Sequence, residues 1–143
     1  MVQVEYALTV QRPVEQVFAF VTNGENNPKW ELEMVETKQL TDGPTRVGTK
    51  WLSVHKYGRR KVKAIRETIQ YEPNRKWVTK SAIGPIPTTF TITFEPTNDG
   101  TKLQFILNVQ TAGLTKLMDP LIENIFKRQA PINFRRLKEV LEI

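Results

Sequence analysis

The sequence predicts an α+β domain, a curved antiparallel sheet of about seven strands wrapped on one long C-terminal helix. Three observations carry this. Two-residue alternation recurs along the chain, as in Val2, Val4, Tyr6, Leu8, Val10 and in Leu103, Phe105, Leu107, Val109, which marks strands with one buried face. The alternating runs between residues 33 and 110 are joined by short turns, and parallel neighbours would need long crossovers. From Leu114 onward apolar residues fall at Leu117, Met118, Leu121, Ile122, Ile125 and Phe126, the spacing of one helix face. A sheet with one apolar face and a helix with one apolar stripe bury each other.

Taken in order, residues 2–10 form a half-buried strand that Arg12-Pro13 ends. Pro13 suits the first turn of a helix reaching about Thr22, with Val14, Val17, Phe18 and Val21 as its stripe, and Asn23-Gly24 closes it. Asn26-Asn27-Pro28 opens a second short helical turn carrying Trp30. Strands follow at 33–40, 48–57, 59–71, 76–82, 88–95 and 101–110. Asp42-Gly43-Pro44, Gly58, Glu72-Pro73-Asn74, Gly84-Pro85-Ile86-Pro87 and Asn98-Asp99-Gly100 separate them. The alternation places Phe90, Ile92 and Phe94 inward, with Trp51, Ser53, His55 and Tyr57 sharing one face. In the last thirty residues Asp119-Pro120 reads as an N-cap followed by N1, leaving 114–118 as a separate turn. Pro131 has no N–H for the carbonyl of Lys127, so a kink or short break is expected near 127–131. Such a break either follows the sheet's curvature or leaves a gap for a ligand.

At 143 residues, 39% hydrophobic and 25% charged, the chain reads as one domain, 1–143, with a substantial core. No run approaches the about 18 apolar residues of a membrane span. The alternating N-terminus lacks the pattern of a secretory signal. With no cysteine there is no disulfide framework, thiol nucleophile or thiolate metal site, in keeping with a cytoplasmic location. Net charge is +6, from 21 Lys+Arg against 15 Asp+Glu, a weak pointer to anionic partners.

Few constellations carry chemistry. Ser53 and His55 share a strand face, but a hydrolytic triad also needs an orienting carboxylate and an oxyanion hole, and no nucleophile elbow is present. A single His and no Cys leave no metal-ligand set, and none of the seven glycines forms a dinucleotide or phosphate loop. No metal or cofactor is expected. Glu67 is an acid/base candidate: if Ile65, Ile69 and Tyr71 face the helix, Glu67 lies in an apolar cavity that raises its pKa. If Ala64, Arg66 and Thr68 face inward, it is a solvated strand carboxylate. The run Lys56, Arg59, Arg60, Lys61, Lys63, Arg66 contains no acid and only one interleaved aromatic, Tyr57. It therefore fits a solvated hairpin that blunts an edge, or weak contact with an anionic membrane surface, better than specific nucleic-acid binding.

The order of elements resembles the helix-grip fold of the START/Bet v 1-like superfamily and, within it, the polyketide cyclase/dehydrase and lipid-transport family. The residues that carry the likeness are Val10–Phe18 at the strand-to-helix step, Asn27-Pro28-Lys29-Trp30, Val47-Gly48-Thr49, Tyr71-Glu72-Pro73 and Asp99-Gly100-Thr101. In the terminal helix they are Gly113–Leu121, Arg128, Leu137-Lys138 and Leu141-Glu142. Thr41–Thr45 is not the Gly-rich loop of the plant pathogenesis-related branch. The resemblance implies a cavity between sheet and terminal helix for a hydrophobic or amphipathic molecule, lipid-, polyketide- or isoprenoid-like. Trp51, His55, Tyr57, Glu67, Trp77, Phe90, Met118, Ile122 and Phe126 are the candidate ligand contacts. A non-catalytic binder or carrier is the first expectation. A cofactor-independent cyclase, dehydratase or lyase using Glu67, His55 or Tyr57 is the second, and an interaction module working through the basic hairpin the third.

Overall fold

The computed structural model describes residues 1–143. The chain runs β1 (Val2–Val10), α1 (Val14–Thr22), a 3₁₀ turn (Gly24–Lys29), β2 (Met34–Gln39), β3 (Lys50–Tyr57), β4 (Arg60–Glu72) and β5 (Lys76–Ile83). It continues through β6 (Ile86–Pro96), β7 (Thr101–Val109), a second 3₁₀ turn (Gly113–Met118) and α2 (Asp119–Leu141). One antiparallel sheet has the order β1-β7-β6-β5-β4-β3-β2. The meander runs from β2 to β7, and β1 adds to its far edge, paired from Val2 with Val109 to Val10 with Thr101. This is the sheet-and-helix architecture that the alternation predicts, and the helix-grip order that the resemblance implies.

The core lies where α2 meets the β1 side of the sheet. Phe134 of α2 stacks on Phe105 of β7 with ring centroids 3.9 Å apart. Tyr6 of β1 stands 5.0 Å from the same ring and Trp30 5.7 Å. Leu137 and Leu141 continue the buried stripe. Phe18 of α1 meets Phe94 and Tyr71 edge-on. A smaller cluster of Val2, Val4, Ile86, Val109 and Ile122, with Leu107 and Phe126 against it, seats the first half of α2. The strand nearest α2 is β1, and polar ties fix that alignment. Lys138 donates to the Thr9 carbonyl at 2.7 Å, and Glu142 accepts from the Gln11 N–H at 2.8 Å.

Two local expectations are narrowed. Of the kink or short break expected near 127–131 the break is absent, since α2 stays helical through Pro131. Both Pro131 and Lys127 face solvent, so water can satisfy the carbonyl left without a donor. The segment Gly84–Pro87 is not all turn. Gly84, at φ +58°, and Pro85 make a two-residue hairpin turn, while Ile86 and Pro87 already belong to β6. Pro87 sits opposite Gln110, whose N–H donates to its carbonyl at 2.9 Å, just past the end of β7. A missing N–H is tolerated at such a margin.

Candidate functional site

Residues directly opposite one another in an antiparallel pair share a face, so the register decides which side chains look toward α2. One row across the sheet is Thr68, Thr79, Phe90, Leu107 and Val4, and another is Trp77, Ile92, Phe105 and Tyr6. Pairing of Trp51 with Arg66, Ser53 with Ala64 and His55 with Val62 extends the same concave face over β3 and β4. A β-bulge lies between Thr68 and Gln70. The extra residue shifts the phase of the strand, so Ala64, Arg66 and Thr68 face inward ahead of it and Tyr71 faces inward beyond it.

Glu67 therefore stands on the convex face. It lies opposite Lys50 and Lys80, and its carboxylate is 3.9 Å from the Lys80 ammonium. The site on the concave face is made by different residues. Glu31 and Glu33 enter from the segment after the first 3₁₀ turn, and Ser53, His55 and Tyr57 come from β3. Arg66 comes from β4. Burial raises the pKa of Glu31, with Glu33 adding to the shift while Arg66 and the hydrogen bond from Asn27 oppose it. Burial lowers the pKa of His55, as does the charge of Arg66, with Glu33 acting the other way. Tyr57 is raised by burial and by the two carboxylates Glu33 and Glu31. Asn133 of α2 donates to Glu33 at 3.0 Å and accepts from the Leu32 N–H at 3.1 Å, which ties this acidic segment to the helix.

The hydrogen-bond network assigns His55 a modest role. The Ser53 hydroxyl donates to the Ala64 carbonyl at 3.2 Å, and His55 Nε2 lies 3.1 Å from the same hydroxyl. With its one proton committed to Ala64, Ser53 can only accept, so Nε2 is assigned the ring proton. His55 is thus a donor to Ser53 and not a base for it, and its ring stacks on Tyr57 at 6.3 Å.

The remaining sequence candidates divide. Trp51 is buried and meets Trp77 edge-on at 5.8 Å, and the Trp77 indole N–H donates to the Thr68 hydroxyl at 3.0 Å. Both belong to the packed core. Ile122 is buried in the smaller cluster with Phe126 beside it. Met118 is exposed at the end of the second 3₁₀ turn. Phe90 is partly buried and stacks on Phe105 at 5.9 Å. Sequence reasoning missed Glu31 and Glu33, which lie at the irregular step into β2, and Asn133, a polar residue beside the apolar stripe of α2. Arg66 entered both in the basic run and, with Ala64 and Thr68, as one of the two inward-facing sets that the pattern of β4 left open.

The profile of the family described as polyketide cyclase / dehydrase and lipid transport matches residues 1–142. The chain belongs to this family. No curated protein matches it by sequence. Among solved structures it is similar to TTHA0849 from Thermus thermophilus, with TM-score 0.80, 16% identity and coverage of 98% of this chain and 97% of that one. It is also similar to MLL2253 from Mesorhizobium loti, with TM-score 0.77, 17% identity and coverage of 98% and 96%. Ara h 8.0201 superposes with TM-score 0.74, 15% identity and coverage of 98% and 97%. At such identities the likeness is one of fold alone.

Of five hollows on this polyketide cyclase/dehydrase-family chain, neither of the two principal ones lies under α2. One, of about 250 Å³, is lined by Glu72, Arg75, Lys76, Thr93, Phe94 and Glu95. The other, of about 400 Å³, lies between the β1–α1 step and the β6–β7 turn. Both are open and mostly polar, unlike the apolar pockets that hold small molecules. On the concave face the centre is filled by the Phe105–Phe134 stack and its neighbours. Toward the β3–β4 and β5–β6 turns, Val62, Tyr57 and Ile83 are 36%, 44% and 37% exposed, and Ala64, His55, Phe90 and Leu107 are partly open. The carboxyl group on this face is Glu31, whose pKa burial raises, and not Glu67, which stands on the convex face.

Proposed function

We propose that this protein binds and carries a hydrophobic or amphipathic small molecule on its concave face, between the turn-side ends of β3–β6 and the flank of α2. One observation carries the reading: the helix lies along β1, and the inward-facing side chains of β3 and β4 near their turn are left without a covering element. Val62 and Ala64 present apolar surface there, continued by the partly buried Phe90 of β6 and edged by His55, Tyr57 and Ser81. Concave, largely apolar and edged by a few placed polar groups, the region has the makings of a ligand surface. Family membership supports it in coarse form.

The test is a fluorescence titration with the apolar dye N-phenyl-1-naphthylamine. Saturable binding is expected. Ala64→Phe, which fills the concave side, should weaken it by about tenfold or more, while Ile65→Phe on the convex side should leave it within about twofold. Absence of saturable binding, or equal effects of the two neighbours, would refute the proposal.

A second reading concerns where such a cargo is exchanged. The β3–β4 turn, the β5–β6 turn and the second 3₁₀ turn lie at one end of the sheet. Leu114 and Leu117 are 86% and 82% exposed at that end. Lys56, Arg59, Arg60, Lys61 and Lys63 of the β3–β4 hairpin, and Lys116 beside the two leucines in sequence, are exposed at the same end. Apolar tips and cations on one end suit an anionic bilayer surface. Flotation with phosphatidylglycerol vesicles should capture the protein at low salt and release it at high salt. Leu114→Ser with Leu117→Ser should abolish capture, and equal capture by phosphatidylcholine would count against it.

A further inference from the structure

We infer that Arg66 is the anchor for a carboxylate on the carried molecule, so that the cargo is an apolar acid and not a neutral lipid or hydrocarbon. The inference rests on the ligand-binding reading above and names its ligand class.

Arg66 is 9% exposed and projects from the concave face in the row of Trp51. Its guanidinium carbon lies 5.9 Å from the centre of the Trp77 ring, which fixes the plane of the group by cation–π attraction. No hydrogen bond reaches any of its five N–H donors. It also has no place among the ion pairs, which involve Met1, Lys80, Lys127 and Lys138 with Asp119, Glu67, Glu123 and Glu142. The charges of Glu31 and Arg66 act on one another, yet the two stay beyond ion-pair distance. A guanidinium largely removed from bulk water, touching solvent only at its margin, and left without a protein partner is costly, and buried charges are ordinarily paired.

Apart from water at its margin, a partner for this charge has to come from outside the chain. The arginine fork matches the two oxygens of a carboxylate, and Arg66 stands where the apolar row of Phe90 and Leu107 is continued by Thr79 and Thr68. A molecule with its acid on Arg66 would lay its apolar body along the uncovered side chains of β3–β6. Glu31 narrows the choice further. A second carboxylate close by disfavours a doubly charged head such as a phosphate monoester more than it disfavours a single acid.

The experiment displaces bound N-phenyl-1-naphthylamine with dodecanoate and with dodecanol, chains of equal length that differ in the head. Dodecanoate is expected to displace at a concentration about tenfold or more below that of dodecanol, the discrimination of one charge-assisted contact. In Arg66→Gln the ratio should fall to within about twofold, and Arg66→Lys should restore part of it. Glu31→Gln, which removes the competing carboxylate and spares the fold, should raise the ratio. Equal displacement by the two heads in the native protein overturns the inference, as does a ratio unmoved by Arg66→Gln and Glu31→Gln. If dodecanol displaces but the acid shows no advantage, carriage stands and Arg66 has no such role. If neither displaces a saturably bound dye, the carriage reading falls as well.

Discussion

Truncating Phe134 to Ala tests how much of the concave face is solid. Phe134 is 6% exposed and touches three aromatic rings, those of Phe105, Tyr6 and Trp30. A buried Phe→Ala change costs about 3–5 kcal/mol. Aromatic pairs add about 0.5–1.5 kcal/mol each beyond area burial, which places this site near the top, at about 4–5 kcal/mol. Val62 faces the same concavity but is 36% exposed. Val62→Ala removes two carbons that are already partly wet and opens no closed cavity, at a cost of about 1 kcal/mol or less. Urea unfolding followed by tryptophan fluorescence reads both. At a slope of about 2 kcal/mol per molar the first substitution should lower the midpoint by about 2 M and the second by about 0.5 M or less. A cost below about 2 kcal/mol for Phe134→Ala, or similar costs at the two sites, would refute the division into a filled and an open region.

Three other outcomes follow from the same contacts. Burial raises the folded-state pKa of Glu31, so stability falls as pH climbs from the ordinary glutamate range through the raised value. Glu31→Gln should be more stable than the parent at pH 7 and equal to it near pH 3, by urea curves at the two pH values. Glu142 has the opposite sign, because its bond from the Gln11 N–H and then Lys138 hold its pKa down. Its contribution is present above the ordinary glutamate range and vanishes as pH falls through the depressed value, so Glu142→Gln should be less stable at neutrality and indistinguishable in strong acid. Gly24→Ala would set a Cβ 2.5 Å from the Trp51 indole, and overpacking of that kind costs about 1–3 kcal/mol. A lowered urea midpoint with an altered near-ultraviolet tryptophan signal is expected.

Most of the architecture was legible because periodicity reports burial, and burial here follows simple faces. β1, β6 and β7 alternate cleanly, and the second half of α2 buries Phe134, Leu137 and Leu141 at helical spacing. Of the stripe read from Leu114 to Phe126, however, Ile122 is buried while Leu114, Leu117, Met118 and Leu121 are exposed. β4 was not legible. Its bulge at Thr68–Gln70 changes phase within the strand, so two opposite facings each fit part of the pattern, and the choice between Glu67 and Arg66 depended on pairing with β3 and β5. Pro131 produced no break because its effect on a helix depends on whether the freed carbonyl meets water or protein. Glu33 owes part of its environment to Asn133, a hundred residues away, a contact that no local pattern encodes.

The polar character of β4 and the position of α2 explain one another. An apolar helix stripe lowers free energy only over apolar side chains, and β1 and β7 supply these in an unbroken series. Ala64, Arg66 and Thr68 offer β4's share of the same face as one small group, one charge and one hydroxyl. A helix laid over them would strand the guanidinium and gain little apolar contact. The helix therefore settles on the β1 side, and the strands farthest from it keep an uncovered inner surface. Hollow and charge thus arise from one choice of residues. Replacing Arg66 with a large apolar side chain should accordingly raise stability while removing the preference for an acid.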